Sequence, residues 1–319
     1  MTLISSADLD RARANIAGSV VRTPLVQVPG MTHPLWLKPE NLQVTGAFKV
    51  RGAHHRIASM TEAERALGVV THSSGNHAQA VARSAKAFGI PAVVVMPDTA
   101  AQVKIDATRA LGAEVVTVAP DLYRARAVEL SAERGCVLVP PFDDPYVIAG
   151  QGTVGLEVLD DLPGDLTVLV PVGGGGLISG VAAAVKQRRP GSRVIGVEPE
   201  LAGDAAESLR TGRISRWTAA LAGRTVADGL RTPALGDLTW QHIRAYVDDI
   251  VTVTEEEIRE SVRFLATRAH LVAEASGAVA TAGYLFHRER LSPELPCVAV
   301  ISGGNIHPGD LADMLRPAA

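Results

Sequence analysis

The sequence predicts an α/β fold made of two doubly wound parallel-sheet domains, the smaller inserted in the larger. Three observations carry this. From Gly68 onward, apolar strand-like runs alternate with helical patterns, and such alternation builds a parallel sheet covered on both faces. The chain's 319 residues are long for one core and short for three. Aromatics make up only 4% while Ala, Val, Leu and Gly are plentiful, which suits a core of small aliphatic side chains between helices and sheet.

The elements follow in order. Ser5-Ser6-Ala7-Asp8 reads as a capping box with Asp in place of Glu, opening a helix to about Ala17 that Gly18 ends. Leu35–Lys38 is a short strand. Then come Val69–Thr71 with a helix from about Asn76, Ala92–Met96 with a helix from about Ala101, and Glu114–Val118 with a helix from about Leu122. Cys136–Val139 closes that set. Ala78, Val81, Ala82 and Ala85 form the stripe of a helix lying on a sheet. The second set has strands at Leu166–Val172, Arg193–Val197, Asp249–Val253 and Cys297–Ile301. Its helices start near Gly176 and span Glu255–Ala269 and Ala275–Arg288. With no internal repeat and no low-complexity linker, the second set is expected to join the N-terminal segment, with the first set inserted as a smaller domain.

Bulk properties exclude several function classes. The formal net charge of −3 and the lack of a basic run speak against a nucleic-acid partner. No stretch of 18 apolar residues could span a bilayer, and no signal peptide is visible, so a cytoplasmic location is expected. Cys136 and Cys297 lie in apolar runs and read as buried free thiols.

Ligands of open parallel sheets gather at the C-terminal ends of the strands. Three segments qualify. Gly173-Gly174-Gly175-Gly176-Leu177 follows a strand and opens a helix. Glycines let backbone amides turn inward, and those amides with a helix N-terminus cradle a phosphate. A tight strand–helix turn would need fewer glycines, and neither GxGxxG spacing nor a P-loop Lys-Ser/Thr pair is present. Ser73-Ser74-Gly75-Asn76-His77 can hold a carboxylate, or serve simply as an N-cap. His72 and His77 have no third partner at metal spacing. Lys49 lies in Thr45-Gly46-Ala47-Phe48-Lys49-Val50-Arg51-Gly52. By bulk patterning Lys49 reads as a surface lysine opening a helix, but Phe48 and the flanking glycines suggest close packing, which would desolvate the amine and lower its pKa.

Together these segments resemble fold-type II pyridoxal-phosphate enzymes of the serine/threonine dehydratase and serine racemase family. Thr45–Ala53 is similar to the family's cofactor-lysine motif, with Ala47 where Ser is usual. Ser73–Gln79 resembles its substrate-carboxylate loop. Ile148–Thr153, Gly173–Leu177 and Ser302-Gly303-Gly304-Asn305 are similar in place and spacing. The resemblance implies that Lys49 holds pyridoxal 5'-phosphate as a Schiff base and acts as base on one face. Phe48 would support the ring, Asn76 would bond its phenolic oxygen, and Gly173, Gly174, Gly175, Gly176 and Leu177 would hold the phosphate. Ser302 would face the pyridine nitrogen. Ser73, Ser74, Gly75, Asn76 and His77 would bind the substrate, with Ser74 as second acid/base on the opposite face. Glu198, Ala202 and Asp204 resemble the family's divalent-metal site, whose oxygen ligands suit Mg²⁺ or Ca²⁺; the plain alternative is a solvated acidic loop.

The implied activity is β-elimination from L-threonine or L-serine to a 2-oxo acid and ammonia. Amino-acid racemisation, 3-hydroxyaspartate dehydration and a non-catalytic binding protein of the same fold are the rivals. Tyr123 stands near where a racemase's substrate-side Arg would fall, which speaks against a dicarboxylic substrate. The chain ends soon after Asn305, so control through an appended regulatory domain is not expected. The resemblance also implies that residues 68–143 form a small mobile domain and that 1–67 with 144–319 form the large one, and it alone implies a homodimer or other homo-oligomer.

Overall fold

The computed structural model describes residues 2–316. Ten strands form two sheets: β1 (Val26–Val28), β2 (Leu35–Pro39), β3 (Val69–His72), β4 (Ala92–Pro97), β5 (Glu114–Val118), β6 (Val137–Leu138), β7 (Thr167–Pro171), β8 (Arg193–Pro199), β9 (Asp249–Val253) and β10 (Cys297–Ile301). The larger sheet runs β1-β2-β10-β7-β8-β9 and the smaller β5-β4-β3-β6. Every pairing is parallel except β1 with β2. The strands read from the sequence sort as expected: β3 to β6 into one sheet, β2 and β7 to β10 into the other. The antiparallel edge strand β1 is an addition, because a three-residue strand carries too little alternation to see.

β7 and β10 are buried at every residue. A strand covered by helices on both faces needs apolar residues at each position, and Thr167-Val-Leu-Val-Pro171 and Cys297-Val-Ala-Val-Ile301 nearly supply that. Leu35, Leu37, Ile195, Val197 and Ile301 pack with the helix Ala275–Phe286 on one side. Val168, Val170, Val194 and Val300 pack with Val154, Ile178 and Val181 on the other. Each such Val, Leu or Ile contributes roughly 1.5–3 kcal/mol on leaving water. Cys136 and Cys297 are free and buried, as the sequence suggests. No helix among the described residues is long and apolar enough to cross a membrane.

One helix absent from the sequence reading organises the centre. Pro145–Asp161 starts at Asp144, whose carboxylate accepts the amides of Tyr146 and Val147. It lies between the helices Lys49–Ala58 and Gly176–Arg188. The approach is close enough that a Cβ on Gly150 would sit 2.6 Å from the Cα of Gly52. The Ile148–Thr153 motif therefore packs rather than binds: Gln151 Oε1 accepts the Gly52 amide at 3.1 Å, and Thr153 Oγ1 accepts from Arg51 at 3.1 Å.

Beneath Lys49 lies a buried ion network. The Arg51 guanidinium donates to Glu40 at 2.7 and 2.8 Å and to Glu157 at 2.6 and 2.8 Å. Lys38 Nζ donates to the Glu157 carboxylate at 2.6 Å and to the Thr23 carbonyl at 2.7 Å. The Arg51 side chain has no exposed surface. The network ties β2, the Lys49 helix and the helix Pro145–Asp161 together, so Lys49 stands on a rigid base.

Candidate active site

The C-terminal ends of the strands meet at a cavity of about 620 Å³. Phe48, Lys49, Ser73 to His77, Gly173 to Leu177 and Ser302 all line it. Every sequence-predicted cofactor and substrate residue thus faces one space, although the segments are separated by up to about 250 positions along the chain.

The local geometry explains why. The amide of Phe48 donates to the Ser302 carbonyl at 3.1 Å, and Ala47 bridges Gly303. The end of β10 is thereby zipped onto the start of the Lys49 helix. Lys49 is half-buried, and its Nζ donates to the Pro141 carbonyl at 2.7 Å with Phe48's ring 5.1 Å away. No carboxylate among the described residues pairs with it. Burial pushes its pKa down to about 8, because a desolvated site disfavours the ammonium.

The glycine loop connects β7 to the helix Gly176–Arg188. The amides of Gly173 through Leu177 find no acceptor among the described residues. Gly175 adopts φ +89°, a conformation that costs other L-residues energy. A Cβ at Gly176 would meet Phe142 at 2.9 Å, and one at Gly175 would meet Thr239 at 2.9 Å. Thr239 Oγ1 donates to the Gly174 carbonyl at 2.8 Å and holds the turn from behind. Free amides at a helix start, walled so that only glycine fits, suit a phosphate dianion. This cradle and the low-pKa amine across the same cavity fit the two ends of pyridoxal phosphate.

Ser302 is buried, its hydroxyl 3.4 Å from the Ser276 carbonyl. On the loop after β3, the Gly75 amide donates to Ser73 Oγ at 3.2 Å and the helix opens at Asn76. His77 is structural in its contacts: its Nε2 lies 3.0 Å from the Val139 carbonyl, and burial with Lys49's charge drives its pKa to about 3. His72 meets the edge of Tyr123.

Sequence reasoning missed several lining residues. Glu274 is buried beside Asn76, and its pKa is pushed up to about 8 by burial and the charge of Asp228. A lone Glu before an apolar helix carries no motif. Arg124 lines the cavity beside Tyr123, its Nε donating to the tyrosine hydroxyl at 3.3 Å. A cation therefore stands where the sequence reading puts only a phenol, and a dicarboxylic substrate is no longer disfavoured on that ground. Lys104 and Asp228 form an ion pair of 3.1 Å on the cavity wall, both half-exposed or nearly so.

Glu198, Ala202 and Asp204 lie elsewhere, at the end of β8 and the turn that follows. All three are buried. Glu198 accepts the amides of Ala205 and Ala206 at 3.1 and 2.9 Å. Asp204 Oδ2 is buried without a partner. Burial and the charge of Asp204 raise the Glu198 pKa, and burial above all pushes Asp204 to about 7. No cluster of three or more His, Cys, Asp or Glu side chains occurs among the described residues.

Residues 16–303 match the family model described as pyridoxal-phosphate dependent enzyme. The chain belongs to that family of pyridoxal-phosphate dependent enzymes. It is 46% identical over 313 residues to an L-threonine ammonia-lyase of Thermotoga maritima, covering 95% of this chain and 76% of that one. Among solved structures it resembles a threonine deaminase from T.th. with a TM-score of 0.90 and 44% identity, over 95% of this chain and 99% of the other. It also resembles a serine racemase of Dictyostelium discoideum with a TM-score of 0.89 and 35% identity, over 95% and 99%.

Proposed function

We propose that the protein is a dehydratase (ammonia-lyase) that converts L-threonine or L-serine to a 2-oxo acid and ammonia. The observation that carries this is the single cavity joining a half-buried, low-pKa lysine to a walled glycine cradle. The names of the relatives supply the substrate class.

When bound, pyridoxal phosphate supplies an electron-poor ring that takes up the electron pair left at the substrate's α-carbon. Lys49 would hold its aldehyde carbon, and Gly173 to Leu177 would hold its phosphate through backbone amides. Ser302 would face the ring nitrogen with a hydroxyl, which stabilises a charged nitrogen less than a carboxylate does. That arrangement would favour loss of a β-group. Lys49 would take the substrate's α-proton at Nζ, an amine poised near neutrality by its burial. Ser73 to His77 would orient the substrate carboxylate, and Ser74 would stand on the face opposite Lys49. Residues 68–143 would act as the mobile domain that excludes water.

Racemisation remains the second reading, favoured by the racemase among the similar structures. It needs an acid on each face, and Lys49 and Ser74 both line the cavity. We also propose a divalent cation, Mg²⁺ or Ca²⁺, at Glu198, the Ala202 carbonyl and Asp204. The support is the buried carboxylate pair with one oxygen left unpartnered, an arrangement a hard cation relieves. The cation would activate or stabilise rather than react, since these residues do not line the cavity.

One experiment tests these readings. L- and D-serine, L-threonine and the 3-hydroxyaspartate isomers are assayed for 2-oxo acid and for the opposite enantiomer, with and without a chelator restored by Mg²⁺. The expected result is 2-oxo acid from L-threonine or L-serine, reduced by the chelator. D-serine formed from L-serine faster than pyruvate would establish the racemase reading instead. Indifference to the chelator and to added metal would rule out the cation.

A further inference from the structure

The cavity wall contains a chain of hydrogen bonds whose polarity can be read from end to end. It begins at the Thr45 carbonyl, which can only accept. Asn305 Nδ2 donates to it at 2.8 Å, so the Asn305 amide has a single allowed orientation. The same nitrogen donates to Asn76 Oδ1 at 2.8 Å. Asn76 must then turn its own nitrogen the other way, where Nδ2 donates to Glu274 Oε1 at 2.7 Å. A flipped Asn76 would set N–H against N–H at Asn305. One N–H of Asn76 is left over, and Asn76 lines the cavity.

Glu274 is held for this contact. Its amide donates to the Gly303 carbonyl at 3.1 Å, which anchors it to the turn after β10. Gly303 is glycine where a Cβ would collide with Glu274 Oε1. Although Glu274 is the N-cap residue of the helix Ala275–Phe286, its side chain makes no capping bond. It turns to Asn76 instead. No salt bridge engages it among the described residues, and its raised pKa favours the neutral acid, which still offers a carbonyl oxygen to Asn76.

We propose that Glu274, together with Asn305, is a positioning residue that locks the Asn76 amide so that it presents N–H, never C=O, to the phenolic oxygen of pyridoxal phosphate. This rests on the reading of the cavity as the cofactor site. Loss of Glu274 leaves Asn76 free to turn away, and the cofactor loses a directed donor.

The test titrates apo-protein with pyridoxal phosphate, following the bound absorption band and quenching of tryptophan fluorescence. E274A should weaken cofactor binding by about fivefold to tenfold, the size of one hydrogen bond, and shift the band. E274Q, whose amide oxygen can accept the same N–H, should return affinity to within about twofold of wild type. N305A, which frees the other side of the same amide, should behave as E274A does and serves if E274A folds poorly. E274A added to N76A should change nothing more, since both act through one amide. Wild-type affinity and spectrum in both E274A and N305A would overturn the proposal. So would full additivity of E274A with N76A. Failure of the wild-type protein to take up pyridoxal phosphate at all would instead sink the cofactor reading, and this inference with it.

Discussion

Replacing Arg51 with Met isolates the physics of the network under Lys49. Arg51 is fully buried and makes paired contacts to both Glu40 and Glu157. The substitution leaves two carboxylates without it. Glu157 keeps Lys38 at 2.6 Å, so the harm concentrates on Glu40, which retains the Thr23 hydroxyl at 2.6 Å and has no exposed surface. Removing one partner of a buried ion pair costs about 3–5 kcal/mol. The surviving Lys38 contact argues for the lower end, about 3 kcal/mol, against a total stability of roughly 5–15 kcal/mol. The pH dependence carries the more specific test. In the native protein burial raises the Glu40 pKa, but Arg51's charge and hydrogen bonds outweigh it and the net shift is downward. That stability is present above the carboxyl's ordinary value and is lost as pH falls through the lowered one. Without Arg51, burial dominates and the pKa lies above the ordinary value. The variant then carries a penalty at neutral pH that fades as pH falls toward the ordinary carboxylate range. Urea unfolding of both proteins at about pH 7.5 and about pH 5 measures the gap. It should be about 3 kcal/mol at the higher pH and clearly smaller at the lower. A gap below about 1 kcal/mol, or one that does not shrink, would refute the claim that Arg51 neutralises buried carboxylates.

Two further outcomes follow from the cofactor site. Gly175→Ala places a side chain at φ +89° and 2.9 Å from Thr239, so cofactor affinity in a titration should fall by about tenfold or more while the fold, read by circular dichroism, persists; unchanged affinity would show that the loop does not hold the phosphate. The neutral Lys49 amine is the form that reacts with an aldehyde, and its pKa lies near 8. The rate of cofactor uptake by apo-protein should therefore rise through about pH 8 and then level off, and a rate still climbing at about pH 10 would mean an ordinary lysine.

Much of the fold is legible because its signals are local. β7 and β10 are nearly continuous apolar runs, and the helix Asn76–Phe88 wears a one-sided stripe that is buried in the structure. The helix Pro145–Asp161 is not legible for the opposite reason. It is buried on every side from Val147 to Leu159, so it lacks the polar face by which a helix is recognised. The site follows the same division. Lys49, Asn76, the glycine loop and Ser302 sit in motifs, and the structure brings them to one cavity. Glu274 and Arg124 belong to no motif; only the approach of segments distant in sequence makes them neighbours of the cavity. Phe48 and its flanking glycines point to the lowered pKa of Lys49, yet what desolvates the amine is a wall that includes Pro141, supplied from far along the chain.

The Lys104–Asp228 pair joins the helix after β4 to the turn Asp228–Leu230 on the other side of the cavity. Both groups remain wet, so their attraction amounts to about 1 kcal/mol or less, within twice the thermal energy. A latch this weak gives way without help from a bound molecule and re-forms as readily. Dissolved ions, by screening the pair, weaken it further, so this link across the cavity mouth adds little to how the two walls are held.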